Sequence, residues 1–210
     1  MIQTAKYTPD CEVIIGGPAG ELLDRAKQEH LLTEEMPAYN ARLRKNPLLI
    51  LKETAGLLIT ALRLARRLRK MDVDLVHANS IRAGLMASAG RWLHRKPVIW
   101  HIRDHVPQGL IGKLVIKAMK IAADAVIGIS QAVLAPIIER NGRSNVYLIY
   151  NGLDLTERTE QELCEARRKV RAELQAAEHH KVLVMIGQIT PWKRKHDAIL
   201  AAAKLMEERD

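Results

Sequence analysis

Lys193 closes the segment Val182-Leu-Val-Met-Ile-Gly-Gln-Ile-Thr-Pro-Trp-Lys193, in which five apolar residues run into Gly187, then Pro191, then the lysine. The apolar run predicts a buried strand. Gly187 lets the backbone turn or come close to a ligand, and Pro191 stops any return to the sheet. In parallel α/β sheets, ligands bind outside the carboxyl ends of the strands. A lysine fixed there suits an anion such as a phosphate. The chain ends at Asp210, one predicted helix later.

His101 is the second candidate. It lies in Val98-Ile-Trp-His-Ile-Arg-Asp104, near the carboxyl end of a predicted central strand. That is where a catalytic or ligand-orienting imidazole would sit, and equally where a histidine lining a core or cleft would find its hydrogen bond. His101 and His105 are spaced i, i+4 around Asp104. That spacing would suit a metal pair on a helix, but the segment is strand-to-loop and soon meets Pro107, which argues against helical geometry. His77 and Asn79 end another strand in Asp74-Leu-Val-His-Ala-Asn-Ser80. Ser80 and Ser130 are placed to N-cap the helices that follow them, and a capped N-terminus also attracts anions. Asn151-Gly152-Leu-Asp154 closes a fifth strand and reads as a turn in its own right.

Several chemistries lack their motifs. Gly16-Gly17-Pro18-Ala19-Gly20 is not the G-x-G-x-x-G of a dinucleotide site, and Gly112-Lys113 lacks both the upstream glycine and the following Ser or Thr of a P-loop. There is no G-x-S-x-G nucleophile elbow. Cys11 and Cys164 match no metal or redox spacing, which fits a reduced, cytoplasmic chain. The first residues carry Lys6, Asp10 and Glu12 and have no signal-peptide core. The longest helical apolar run, 55–62, is far too short to span a bilayer.

The 33 basic and 24 acidic residues leave a formal charge of +9, which favours an acidic partner. The predicted helix 47–70 carries Arg63, Arg66, Arg67, Arg69 and Lys70, with Leu51, Ala55, Leu58, Leu62 and Ala65 read as one face. Lys113, Lys117 and Lys120 line the next basic helix. Such patterns mark a solvated face or, more sharply, contact with an anionic membrane surface. Nucleic acid is not expected as a partner, because stacking aromatics and a recognition motif are missing.

These residues are positioned by alternating elements. Strands are predicted at 12–15, 73–78, 97–102, 125–129, 146–150 and 181–189. Helices are predicted at 19–29, 47–70, 81–94, 111–123, 131–140, 159–176 and 196–208. The alternation predicts an α/β fold with right-handed crossovers and a Rossmann-like parallel sheet flanked by helices. Strands this apolar are expected to be buried on both faces. The charged stretch 157–180 breaks the rhythm and reads as a junction. The expected organisation is therefore a domain over 1–158, a helical linker over 159–180, and the first β-α unit of a second Rossmann-like domain over 181–210. One strand and one helix cannot bury a core by themselves.

Taken together, the segments resemble family 4 (group 1) glycosyltransferases of the GT-B fold. The resemblance rests on Asp74-Leu-Val-His-Ala-Asn, Lys96-Pro-Val-Ile-Trp-His-Ile-Arg-Asp, Ala123-Asp-Ala-Val-Ile-Gly-Ile-Ser130, Val146-Tyr-Leu-Ile-Tyr-Asn-Gly-Leu-Asp154 and Val184-Met-Ile-Gly-Gln-Ile-Thr-Pro-Trp-Lys193. It implies an N-terminal, acceptor-side domain and a C-terminal domain that binds a nucleotide-sugar. It also implies transfer with retention of configuration, no metal or other cofactor, a glycan or lipid-linked acceptor, and a role in polysaccharide or glycolipid synthesis. Lys193 matches the diphosphate-contacting lysine. Gln188 stands where many members have arginine, beside Gly187. His101 matches the histidine near the transferred sugar, with Asn79, Ser130 and Asn151 lining the cleft. Arg194 replaces the glycine that often follows the lysine.

Against the family pattern, the chain is expected to lack a first β-α unit and to stop before the Glu-x₇-Glu region that holds the donor. The expectation is an enzyme by descent with little or no activity on its own. The alternative is a non-catalytic α/β docking domain that binds an anionic membrane surface or a partner. A generic nucleotide binder is a third reading, opposed by the missing phosphate loop. The expected location is the cytoplasm, with peripheral attachment at the inner face of the cell membrane as the membrane-bound version of it.

Overall fold

The computed structural model describes residues 1–37, 39, 47–142, 144–153 and 157–207. They fall into two compact units, Met1–Gly152 and Leu153–Asp210. The predicted turn residue Asp154 and the predicted helix end at Glu208 lie outside the described residues.

The first unit opens with α1 (Ile2–Lys6), β1 (Ile14–Gly17), α2 (Glu21–Gln28), β2 (Leu32–Glu35) and α3 (Pro47–Lys70). β1 and β2 pair in parallel, Ile14 opposite Leu32 through Gly17 opposite Glu35. Ala5, Ile15, Leu23 and Ala26 form the small core there. Neither α1 nor β2 is predicted from the sequence. α1 is too short to display a helical period, and β2 reads Leu-Thr-Glu-Glu, without an apolar run.

A second sheet follows in sequence order, all parallel: β3 (Val76–Ala78), β4 (Val98–Ile102), β5 (Ala125–Gly128) and β6 (Val146–Leu148). Its crossovers are α4 (Ile81–Ala89) with α5 (Arg91–His94), then α6 (Gly109–Ala122), then α7 (Gln131–Asn141). Each strand steps to the same side of the last, so right-handed crossovers bring these helices to one face. Ala87, Val115, Met119, Leu134 and Ile137 accordingly share one core with Val98, Trp100, Ile102 and Val126. Along β4 the burial alternates. Val98, Trp100 and Ile102 are sealed against the helices, while Ile99 and His101 on the opposite face are half-buried. The expectation of strands covered on both faces therefore fails: helices close one face of this sheet, and the other carries the imidazoles.

Helix starts follow their caps. Ser80 accepts from the Ala83 N–H at 3.1 Å and Ser130 from the Val133 N–H at 3.2 Å, each worth about 1 kcal/mol. The predicted helix 81–94 is broken at Gly90. A methyl group at Gly90 would collide with Ala65 of α3, so the glycine permits that close approach. α3 has the predicted bounds, and of the residues read as one face only Ala65 is buried among the described residues. Thr60, Ala61, Ala65 and Leu68 are buried, whereas Ala55, Leu58 and Ile59 are exposed; the side chain of Leu51 lies outside the described residues. Apolar residues surround much of this helix, so period alone does not select the face that packs.

Asp124 stitches the start of the second sheet. Its carboxylate accepts from the Val98 N–H at 2.7 Å and from Arg91 Nη2 at 2.6 Å, and Arg91 Nη1 also donates to the Ala122 carbonyl at 3.0 Å. Burial pushes the carboxyl up, but the Val98 N–H and the Arg91 guanidinium outweigh it and hold the group below its ordinary value. Its stabilisation is thus present above the usual carboxylate range and is lost as pH falls through the lowered value. Asp124→Ala is expected to cost about 1–2 kcal/mol in urea denaturation at pH 7, the pair being partly exposed. No change would remove Asp124 as the stitch.

The second unit contains α8 (Glu160–Glu173), a 3₁₀ turn (Pro191–Lys193) and α9 (Lys195–Glu207). α8 begins with a capping box: Thr159 Oγ1 accepts from the Glu162 N–H, and Glu162 accepts from the Thr159 N–H at 2.8 Å. The predicted strand 181–189 is not formed. Residues 181–186 belong to no regular element and are unpaired, with Leu183, Val184 and Ile186 exposed. A strand needs a neighbour for its N–H and C=O groups, and among the described residues this unit supplies none.

Candidate functional site

All four strands of the larger sheet run parallel, so their carboxyl ends share one edge. Asn79 follows β3, His101 lies in β4, Ser130 follows β5 and Asn151 follows β6. The register places His77 opposite Ile99 and His101 opposite Ile127, on the face away from the helices.

There the two imidazoles form a pair. His77 Nε2 lies 3.1 Å from His101 Nδ1, and the rings stack at 5.2 Å between centroids with 15° between planes. One proton is shared along that contact. If His77 donates, neutral His101 carries its hydrogen on Nε2. If His101 donates, its Nε2 presents a lone pair. In either case Nε2 of His101 is buried and has no hydrogen-bond partner among the described residues. His94 is the contrasting case, since it donates Nε2–H to the Ala87 carbonyl at 2.9 Å and accepts from the Lys96 N–H at 3.0 Å. Both nitrogens of His94 are occupied within the fold, whereas among the described residues only one nitrogen of His101 is.

The surroundings keep the pair neutral. Burial, then the charge that His77 would carry, then Arg103 and the Met1 amino group bring His101 down to about 4. His77 is lowered in the same direction, by burial first and then by the Met1 amino group and Arg103. Arg103 is half-buried, and its Nη2 donates to Asn151 Oδ1 at 2.8 Å. The edge thus offers a neutral imidazole nitrogen beside a fixed guanidinium, a combination suited to a polar, anionic ligand.

Of the residues singled out from the sequence, Asn151 is held by Arg103, whose charge also acts on His101. Ser130 spends its oxygen on the cap of α7. Asn79 is half-buried at the same edge. Arg103 was not among the expected site residues, although it stands in the same segment two positions after His101. Its partner is 48 residues away, a distance that sequence spacing does not reveal.

Lys193, Gln188 and Gly187 belong to the second unit. Lys193 ends the 3₁₀ turn with an exposed side chain, and Gln188 is exposed. A side chain at Gly187 would meet only Lys195, at the ordinary contact distance of 3.9 Å. Arg194 adopts the left-handed conformation at φ 49°, where glycine is favoured and another residue costs about 1 kcal/mol. Its guanidinium is held by Asp197. Among the described residues no group of three or more His, Cys, Asp or Glu is placed to hold a metal ion, and no helix is long and apolar enough to cross a membrane.

The family model for Glycosyltransferase Family 4 matches residues 10–157. No curated protein matches by sequence. Among solved structures, HepE from Anabaena in complex with UDP and glucose is similar at a TM-score of 0.65 and 23% identity, over 97% of this chain and 53% of that one. The HepE complex with UDP-glucose gives the same score and identity, over 97% and 52%. A glycosyltransferase from Rickettsia africae is similar at 0.63 and 19% identity, over 100% of this chain and 53% of that one. The chain thus spans about half the length of these structures, and its Rossmann-like α/β architecture is that of GT-B glycosyltransferases.

Proposed function

We propose, since the chain belongs to Glycosyltransferase Family 4, that it carries the acceptor-side half of a retaining, metal-independent transferase. Its donor is a nucleoside-diphosphate sugar. Its acceptor is a glycan or lipid-linked sugar used in polysaccharide or glycolipid synthesis at the cytoplasmic face of a membrane. The observation that carries this reading is the pair of features at one strand edge: an imidazole nitrogen without a partner among the described residues and the Arg103–Asn151 contact. The HepE complexes with UDP and UDP-glucose support the donor class.

The bond that breaks joins the anomeric carbon to the diphosphate, and the bond that forms joins that carbon to an acceptor hydroxyl. Charge builds on the departing diphosphate, where fixed cations and N–H donors count most. Lys193 is assigned to that charge, with Gln188 donating hydrogen bonds beside it. His101 is assigned to the transferred sugar, orienting a hydroxyl through Nε2. Arg103 holds the edge positive and fixes Asn151.

The chain by itself is expected to transfer little. Among the described residues the segment 181–186 has no strand neighbour within its unit, so no paired strand fixes Gln188 and Lys193. Calorimetric titration of the 210-residue chain with UDP should show weak binding that Lys193→Ala reduces by about fivefold, the worth of one exposed charge-assisted contact. Binding indifferent to Lys193, or steady sugar transfer by the isolated chain, would count against these assignments. A second reading, contact with an anionic membrane surface through basic helices, is favoured by the exposed face of α6, where Leu110, Leu114 and Ile121 stand beside lysines.

A further inference from the structure

We propose that the outward face of α6 is the element that seats the first unit on an anionic phospholipid surface. The proposal rests on the membrane reading above and assigns it to one helix. At about 100° per residue, Leu110, Leu114 and Ile121 fall within about 40° of one another on the helix surface, and Lys113, Lys117 and Lys120 occupy the adjoining ~60°. The opposite side, Gly112, Val115, Ile116 and Met119, is buried in the core. The exposure is large where it matters: 72% for Leu110, 57% for Leu114 and 74% for Ile121. Water gains nothing from solvating such a ridge, and a folded surface seldom keeps one without use.

Its charge selects the occupant. α6 reads Gly-Leu-Ile-Gly-Lys-Leu-Val-Ile-Lys-Ala-Met-Lys-Ile-Ala, with three lysines and no carboxylate. No ion pair engages Lys113, Lys117 or Lys120 among the described residues, whereas Arg67 of the basic helix α3 is paired with Glu34 at 2.8 Å. An apolar ridge flanked by free lysines fits the boundary between acyl chains and anionic headgroups, with the ammonium groups reaching outward to phosphate. A second copy of the same face would set lysine against lysine. Nucleic acid would find no aromatic ring on this helix to stack upon.

The test is sedimentation of the 210-residue chain with vesicles of phosphatidylcholine alone and of phosphatidylcholine containing about one-third phosphatidylglycerol. Binding is expected to the anionic vesicles only. The triple substitution Lys113→Ala, Lys117→Ala, Lys120→Ala should lower the partition at least about tenfold. Leu114→Ser with Ile121→Ser should lower it as well, including at high salt. All five positions are exposed, so circular dichroism should show the fold kept. Equal binding to both vesicles, an unchanged triple variant, or a loss seen only with Arg63→Ala, Arg66→Ala, Arg69→Ala in α3 would overturn the assignment. So would a concentration-dependent dimer that Leu114→Ser dissolves. The donor assignment stands apart from this result: Lys193→Ala should leave vesicle binding unchanged, and UDP titration reports on Lys193 without lipid.

Discussion

Trp100→Ala is expected to lower the unfolding free energy of the first unit by about 3–5 kcal/mol, as for other buried aromatic truncations. The indole is fully buried at the centre of the four-stranded sheet. Its Nε1–H donates to Ser88 Oγ at 2.9 Å. α4 comes so close over the ring that a methyl group at Gly84 would overlap it. Strand, helix and glycine are therefore built around one side chain, and little in the neighbourhood can collapse into the space it leaves. Trp100→Phe keeps most of the volume and gives up the hydrogen bond, so about 1–2 kcal/mol should separate it from the native chain. Urea denaturation followed by circular dichroism measures both. A loss below about 1 kcal/mol for the alanine variant would mean the core repacks and that β4 is not pinned here. The functional consequence follows from chain geometry. His101 is the next residue along β4, and its orientation is fixed by the strand that Trp100 anchors.

What the sequence discloses about this molecule divides along the range of the interactions. Caps are local, and Ser80, Ser130 and Thr159 mark the starts of α4, α7 and α8 where the sequence places them. The apolar runs that become β3 to β6 are also local, and each appears within a few residues of its predicted bounds. The run 181–189 is as apolar as these and still forms no strand, because pairing depends on a neighbour and not on composition. The packing face of α3 is not legible for a related reason: its leucines and alanines permit several faces, and contact with α4 and α5 selects one. At the site, His101 is visible through its place in an apolar segment. The contact of His77 with His101 spans 24 residues and the contact of Arg103 with Asn151 spans 48. Parallel crossovers create both, and no spacing rule announces them. Lys193 is likewise legible as a lysine after an apolar run, while the turn that carries it is a 3₁₀ turn closed by a left-handed arginine rather than by glycine.

The second large effect is expected in the titration of the His77–His101 pair. In an imidazole nuclear magnetic resonance experiment on the native chain, His101 should remain neutral down to about pH 4, with His77 also below its ordinary value. Burial is the leading cause for both; the groups facing the pair are each other, Arg103 and the Met1 amino group, all of which oppose added positive charge. The sign for stability follows. The unfolded chain takes up protons on these histidines near pH 6.5, and the folded chain does so only at lower pH. Between those values the unfolded state binds more protons, so stability is fully present above about 6.5 and falls as the solution is acidified towards 4. Solvent reaches part of the pair, which limits the loss to about 1–2 kcal/mol. In His77→Ala the titration of His101 should move up towards the ordinary value without reaching it, since burial remains when the neighbour's charge is gone. His101 titrating near 6.5 in the native chain, or unmoved in His77→Ala, would show that the two rings are not coupled as drawn. A neutral His101 at neutral pH is what the proposed chemistry requires. An imidazole with Nδ1 engaged by His77 can give or take one hydrogen bond through Nε2, and a neutral ring does so without adding charge.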